Sequence, residues 1–173
     1  MWTGEMQITD REKSKETTIK TEVAYVPPLA LRIDATGPFG VALASVTVQE
    51  RRFQALAYQS KEFFEGPASG KALIPLLGRP FPIEVLGWVM AEAEVDIPGW
   101  SCHKEAENNL KCWNSAEELL TAQKDGPHRR KVSFIGPQFN LIWDLALART
   151  QVQFQPTRFI LAPREGYKVR QIQ

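Results

Sequence analysis

Apolar residues recur at every second position along most of this chain, a spacing typical of β-strands that bury one face. Near the start, Trp2, Met6 and Ile8 alternate with polar residues until a charged run at 10–16 interrupts them. The alternation then resumes over residues 17–25. The pattern predicts a first β-hairpin whose turn carries the charged run.

The segment 29–48 contains two further strand patterns, separated by a short loop. The first has one apolar and one polar face, with Leu29, Leu31, Ile33 and Ala35 alternating with Arg32 and Asp34. It predicts a strand that is buried on one side and wet on the other. The second pattern, over residues 41–48, is almost wholly apolar and predicts a strand that is covered on both faces.

The loop between these strands is Gly37-Pro38-Phe39-Gly40. Glycine and proline supply the backbone angles of a tight reversal, so Phe39 is expected at the tip of a loop. An apolar ring at such a tip has two explanations. It folds back onto the sheet as a hydrophobic plug, or it reaches into a partner or a membrane.

Two or three short helices are expected in the middle of the chain. Ser69 caps one that includes Ala72, Leu73 and Ile74, and Pro75 interrupts it because proline lacks a backbone donor. A second starts at Pro82 and places Ile83, Leu86, Val89 and Met90 on one face. Ser115 and Glu118 form a capping box for a third, which ends near Gln123.

Further strands are predicted at 52–58, 61–65, 131–135, 140–148 and 151–154, followed by a closing hairpin of 158–161 with 167–172. The total is roughly ten strands without a βαβ rhythm. The expected fold class is mainly β with short helices (α+β), built on a large, strongly curved antiparallel sheet. With 173 residues and 43% hydrophobic content, the chain is expected to form a single domain over residues 1–173.

Charge and hydropathy exclude several functional classes. The 21 basic and 20 acidic residues are scattered and give a net charge of +1, which does not favour nucleic acid as a partner. No apolar run is long enough for a transmembrane helix. Because a strand pattern follows Met1 at once, we expect that an export signal, and with it any lipid anchor, was removed and Met1 added.

The two cysteines, Cys102 and Cys112, flank a polar stretch that is typical of a hairpin tip. In an exported protein they could form a disulfide across the hairpin stems, or they could remain free thiols. A zinc site would need more ligands than the neighbouring histidines supply, so no metal is expected.

The sequence contains no recognisable catalytic motif. His103 and His128 lie in polar segments without a nucleophile motif, and there is no phosphate-binding glycine loop. We therefore expect a protein that is not an enzyme and has no cofactor. A curved sheet rich in Leu, Ile, Val, Phe and Trp can instead enclose a dry cavity for acyl chains.

Several segments, taken in order, resemble the bacterial LolA/LolB lipoprotein-localisation superfamily, and its outer-membrane acceptor branch (LolB) most of all. They are TGEMQI near the start, LRIDATGPFGVALASVTV, RPFPIEVLGWV at 79–89 and the terminal PTRFILAPREGYKVRQIQ. The carrier branch (LolA) has an arginine before the proline that ends the second strand. Here Val26 precedes Pro27, which favours the acceptor branch.

The resemblance implies an unclosed antiparallel β-barrel with a helical lid over a hydrophobic cavity. It also implies that the protein binds the acyl chains of lipoproteins in this cavity, having received them from a periplasmic carrier, and delivers them to the outer membrane. We further expect a monomer that faces the periplasm on the bacterial outer membrane through an N-terminal lipid anchor. Its implied partners are acylated lipoproteins, a periplasmic LolA-like carrier and the outer-membrane bilayer. Two alternatives remain open: an envelope stress sensor or adaptor domain of the same fold, and a soluble LolA-like carrier.

Two sets of candidate site residues follow. The loop Gly37, Pro38, Phe39 and Gly40 occupies the place of the family's protruding loop, which is associated with membrane delivery. Alternation assigns the candidate acyl-chain cavity residues, which are Leu31, Ile33, Val46, Leu56, Leu73, Leu77, Ile83, Leu86, Trp143 and Leu145.

Overall fold

The structure, a computed structural model, describes residues 1–27, 30–91, 96–150 and 152–173. These residues form one open sheet. Its strands are β1 (Trp2–Asp10), β2 (Lys15–Val26), β3 (Ala30–Thr36), β4 (Ala42–Gln49), β5 (Arg52–Ala57), β6 (Glu62–Pro67), β7 (Trp100–Ala106), β8 (Asn109–Asn114), β9 (Leu119–Asp125), β10 (Arg129–Ile135), β11 (Phe139–Leu147) and β12 (Lys168–Gln171).

The spatial order of the strands is β12-β6-β5-β4-β3-β2-β1-β11-β10-β9-β8-β7. Strands β1 to β6 form one antiparallel meander, and β7 to β11 form a second. The antiparallel pairing of β1 with β11 joins the two meanders. At the far edge, β12 pairs with β6 in parallel, so the sheet is mixed.

The expected half-barrel with a helical lid is wrong. The sheet is unclosed as predicted, but it is a single large mixed sheet of twelve strands with β12 and β7 at its edges. The described residues contain two α-helices, α1 (Ile74–Leu77) and α2 (Val85–Ala91), of four and seven residues. Helices this short do not make a long helical lid.

Pro75 lies in the first turn of α1, where its missing donor costs nothing, and does not interrupt a longer helix. Helix α1 ends at Gly78, which adopts a left-handed conformation with φ of 73°. The segment predicted as a third helix forms strand β9 instead. There the Asn114 side chain accepts hydrogen bonds from the backbone N–H groups of Ala116 and Glu118, which builds a tight turn between β8 and β9.

The predicted closing hairpin is also wrong. Residues 156–159 form a short 3-10 helix, and β12 pairs with β6 rather than with the segment before it. Two predicted strands begin at residues that lie outside the described part of the chain, Leu29 and Gln151. The remainder of the strand predicted at 151–154 has no regular secondary structure.

The C-terminal segment covers the outer face of strands β3 to β6. Arg32 pairs with Asp34 there and donates a hydrogen bond of 3.0 Å to the carbonyl of Arg158. The backbone N–H of Leu161 donates to Gln54 at 3.1 Å. The face that carries Arg32 and Asp34 was expected to be wet, but this segment half-buries it.

The pairing of β1 with β11 leaves no room for a side chain at Gly4. A Cβ atom at this position would collide with the backbone oxygen of Asp144. We expect the substitution Gly4→Ala to lower the free energy of unfolding by about 2–3 kcal/mol, because two paired strands must separate. Urea unfolding measures the change.

Gly70→Ala is the matched control, since the nearest atom to a Cβ there lies 3.8 Å away. It should change the free energy of unfolding by less than about 0.5 kcal/mol. Equal stability of the wild type and Gly4→Ala would show that β1 and β11 are spaced more widely than the structure indicates.

Candidate functional site

An apolar cavity of about 370 Å³ lies between the concave face of the sheet and the helical segments. Its wall extends from Ala57 at the end of β5 to Leu141 and Trp143 on β11. These strands are separated by four others in the sheet, so the sheet curves around the cavity. Leu73, Leu76 and other residues of the α1 segment close it on the remaining side.

The structure brings most of the predicted cavity residues together and separates the rest. Those that line the cavity are Ile33, Val46, Leu73, Leu77, Leu86 and Trp143. Leu31, Ile83 and Leu145 are buried in the same hydrophobic core but do not line the cavity. Leu56 lies on the opposite face of the sheet, where it packs with Phe63 and Leu161.

Sequence reasoning missed several lining residues, and two groups of them are informative. Met6 and Ile19 lie on the buried faces of β1 and β2, and the alternation of those strands could have identified them. Ala35, Ala44 and Ala57 also line the cavity. Their side chains are small, and the space that they leave unfilled contributes to the cavity.

The cavity has a buried end and an exposed end. At the buried end, the indole N–H of Trp143 donates a 2.8 Å hydrogen bond to the hydroxyl of Thr21, which donates in turn to the carbonyl of Gly4. Gln59 and Ser60, at the exposed end, lie in the turn between β5 and β6. Within the described part of the chain, their side chains make no hydrogen bond.

The loop of Gly37, Pro38, Phe39 and Gly40 projects beside the cavity. Phe39 is fully exposed, with an accessible fraction of 104%, so its ring does not fold back as a plug. Its φ of 59° is in the left-handed region that non-glycine residues rarely adopt. Val41, which follows the loop, is also about half exposed at 51%.

The base of this loop is fixed and touches the cavity wall. The N–H of Gly37 donates a 2.8 Å hydrogen bond to the carbonyl of Val41. A Cβ atom on Gly37 would lie 3.3 Å from the side chain of Leu43, and Leu43 itself lines the cavity. Leu43 therefore connects the loop that carries the exposed Phe39 ring to the wall of the cavity.

The disulfide between Cys102 and Cys112 lies at the other end of the sheet, between β7 and β8. It is remote from β3 and β4 in the strand order. Among the described residues, no group of three or more His, Cys, Asp or Glu side chains is arranged to hold a metal ion. No helix within the described ranges is long and apolar enough to cross a membrane.

Comparisons with known proteins leave the family open. No protein-family model matches the chain, and no curated protein matches it. The chain is similar to a solved structure of an uncharacterized conserved protein from Thermus thermophilus, at 13% identity and a TM-score of 0.47. That alignment covers 99% of this chain and 90% of the other. At this identity and score, the similarity supports no conclusion about function.

Glu84 directly precedes α2. Burial raises the pKa of its carboxyl above the ordinary value of 4.5, although the backbone N–H groups of Glu84 and Gly70 donate to it and oppose the shift. Its Oε2 atom is buried without a hydrogen-bond partner among the described residues. The charged carboxylate is therefore disfavoured in the folded protein.

We expect Glu84→Gln to remove a pH dependence of stability. The folded protein holds this proton more tightly than the unfolded chain does. The contribution of Glu84 to stability is therefore fully present below pH 4.5 and is lost as the pH rises through the raised pKa. The variant, which cannot ionise, should gain stability relative to the wild type over that interval. Urea unfolding across the acidic to neutral range measures it.

Glu16→Gln on β2 is the control, because this carboxyl is exposed. A difference between Glu84→Gln and the wild type that does not vary with pH would contradict the prediction.

Proposed function

We propose that this protein binds acyl chains of lipoproteins in its cavity and delivers them to a lipid bilayer, as the acceptor branch of the LolA/LolB superfamily does. On this proposal its partners are acylated lipoproteins, a periplasmic carrier and the outer membrane. Support comes from one local arrangement, in which an apolar cavity shares Leu43 with the base of a loop that exposes Phe39.

The chemistry of the cavity suits acyl chains. Its lining is almost wholly aliphatic and aromatic, and the one polar group at its buried end, the hydroxyl of Thr21, is already engaged with Trp143 and Gly4. Burying a methylene group in such surroundings contributes about 0.8 kcal/mol, so a chain gains affinity without polar contacts. No reaction is required, because transfer between two apolar environments changes no covalent bond.

The loop suits a bilayer. An aromatic side chain favours the interface between lipid and water, and Phe39 already faces solvent without rearrangement. Val41 adds a second exposed apolar side chain beside it. Because the loop base packs against the cavity wall, insertion of the tip would bring the bilayer next to the bound chain.

Phe39→Glu tests the delivery step. The substitution removes about 1.5–3 kcal/mol of apolar transfer energy and adds a charge, so vesicle binding should weaken by about tenfold or more. Folding and binding of a fluorescent fatty acid should remain at wild-type levels, because the ring contributes nothing to the core. Vesicle sedimentation and transfer of an acylated lipoprotein to vesicles measure the effect.

Two control variants separate delivery from general surface hydrophobicity. Phe39→Trp keeps an aromatic tip and should deliver cargo as the wild type does. Ile160→Glu changes another exposed apolar residue, on the C-terminal segment, and should have no effect. If Phe39→Glu delivers normally, the loop is not the delivery element. Binding of acyl chains without any delivery by the wild type would favour the sensor or the carrier.

A further inference from the structure

The disulfide at the edge of the sheet is connected to the cavity through packed aromatic side chains. We propose that Cys102 and Cys112 form a redox-sensitive clamp, whose reduction by a dithiol releases the edge strand β7 and loosens the cavity wall at Phe81. This coupling does not depend on what occupies the cavity, so it is separate from the proposed delivery of acyl chains.

Strand β7 has little to hold it in place apart from the disulfide. It is the last strand of the sheet, next to β8. Of its seven residues, only Trp100 and Cys102 are even partly buried, and a bulge between Lys104 and Ala106 interrupts the ladder. Cys102 lies directly opposite Cys112, which is fully buried in the hydrophobic core. The disulfide therefore anchors an edge strand that buries few side chains of its own.

Three aromatic side chains connect this strand to the cavity. The centroid of the Trp100 ring lies 6.1 Å from that of Phe134. The Phe134 ring is fully buried, and its centroid lies 5.9 Å from that of Phe81, which lines the cavity. When Trp100 leaves with β7, Phe134 loses a neighbour. Packing at Phe81 then loosens, because close-packed side chains relax into vacated space.

Reduction of the clamp proceeds by thiol–disulfide exchange. Cys102 is half-buried and Cys112 is fully buried, so a thiolate of the dithiol attacks the Cys102 sulfur. The S–S bond breaks, and the Cys112 sulfur leaves as a thiolate and takes up a proton. The second thiol of the reductant then attacks the mixed disulfide, and its proton passes to the released Cys102 sulfur. Two electrons pass to the protein, which ends with two thiols, and the reductant ends as a disulfide.

Amide hydrogen exchange, measured by NMR before and after treatment with dithiothreitol, tests the coupling. The cysteines are 10 residues apart, and loss of a cross-link over such a loop should make the β7 amides exchange about a hundredfold faster. The amide of Phe81, which donates to the carbonyl of Gly70, should exchange about two to ten times faster because an aromatic contact is lost. The amide of Tyr58, which donates to the carbonyl of Leu43, should not change.

Three results would contradict the proposal. Alkylation with iodoacetamide followed by mass spectrometry counts the free thiols, and a disulfide that resists dithiothreitol in the folded protein is not a redox-sensitive clamp. Unchanged exchange at Phe81 in fully reduced protein would separate β7 from the cavity. Equal acceleration at Phe81 and Tyr58 would show that reduction destabilises the whole sheet rather than one part of the cavity wall.

Two variants identify the route of the coupling. Cys102→Ala with Cys112→Ala should show the fast exchange without reductant and should not respond to dithiothreitol. Trp100→Leu keeps the disulfide and removes the aromatic contact with Phe134. Reduction of this variant should still release β7 but should no longer accelerate exchange at Phe81. An acceleration as large as that of the wild type would overturn the route through Trp100.

Discussion

The pairing of β1 with β11 is the contact on which the rest of the molecule depends. It runs from Trp2 opposite Leu147 to Asp10 opposite Phe139, and it joins two meanders that could each form locally. It also places Met6 opposite Trp143 on the concave face, so the cavity gains its far wall. The entropy cost of closing so long a loop grows only slowly with its length, and burial of the Trp143 side chain helps to offset it.

Alternation predicted the strands well because it depends only on one face being buried. The incorrect predictions concern segments whose structure is set by hydrogen bonds in turns or by tertiary pairing. Ser115 and Glu118 have the spacing of a helix cap, but Asn114 accepts hydrogen bonds from the backbone in a turn and leads the chain into β9. The alternating basic and apolar residues of β12 do not identify its partner strand, and in the fold it pairs in parallel with β6.

The candidate site was predictable in part. Ile33 and Val46 follow from alternation because their side chains share the buried face of neighbouring strands. Alternation could not assign the inner face of β5, because Phe53, Ala55 and Leu56 are all buried. The register pairs Val46 with Ala55 and so places Leu56 on the outer face. The search for large apolar side chains also missed the alanines that line the cavity, because a hollow forms where bulk is absent.

The two edges of the open sheet differ in a way that bears on aggregation. Unpaired strand edges can recruit the same edge of another molecule. At one edge, β12 is only four residues long and carries Lys168 and Arg170. At the other, a bulge between Lys104 and Ala106 distorts β7, and a disulfide ties that strand to β8. The charged side chains on β12 and the bulge in β7 therefore disfavour edge-to-edge association of this protein, although it exposes Phe39 and contains an apolar cavity.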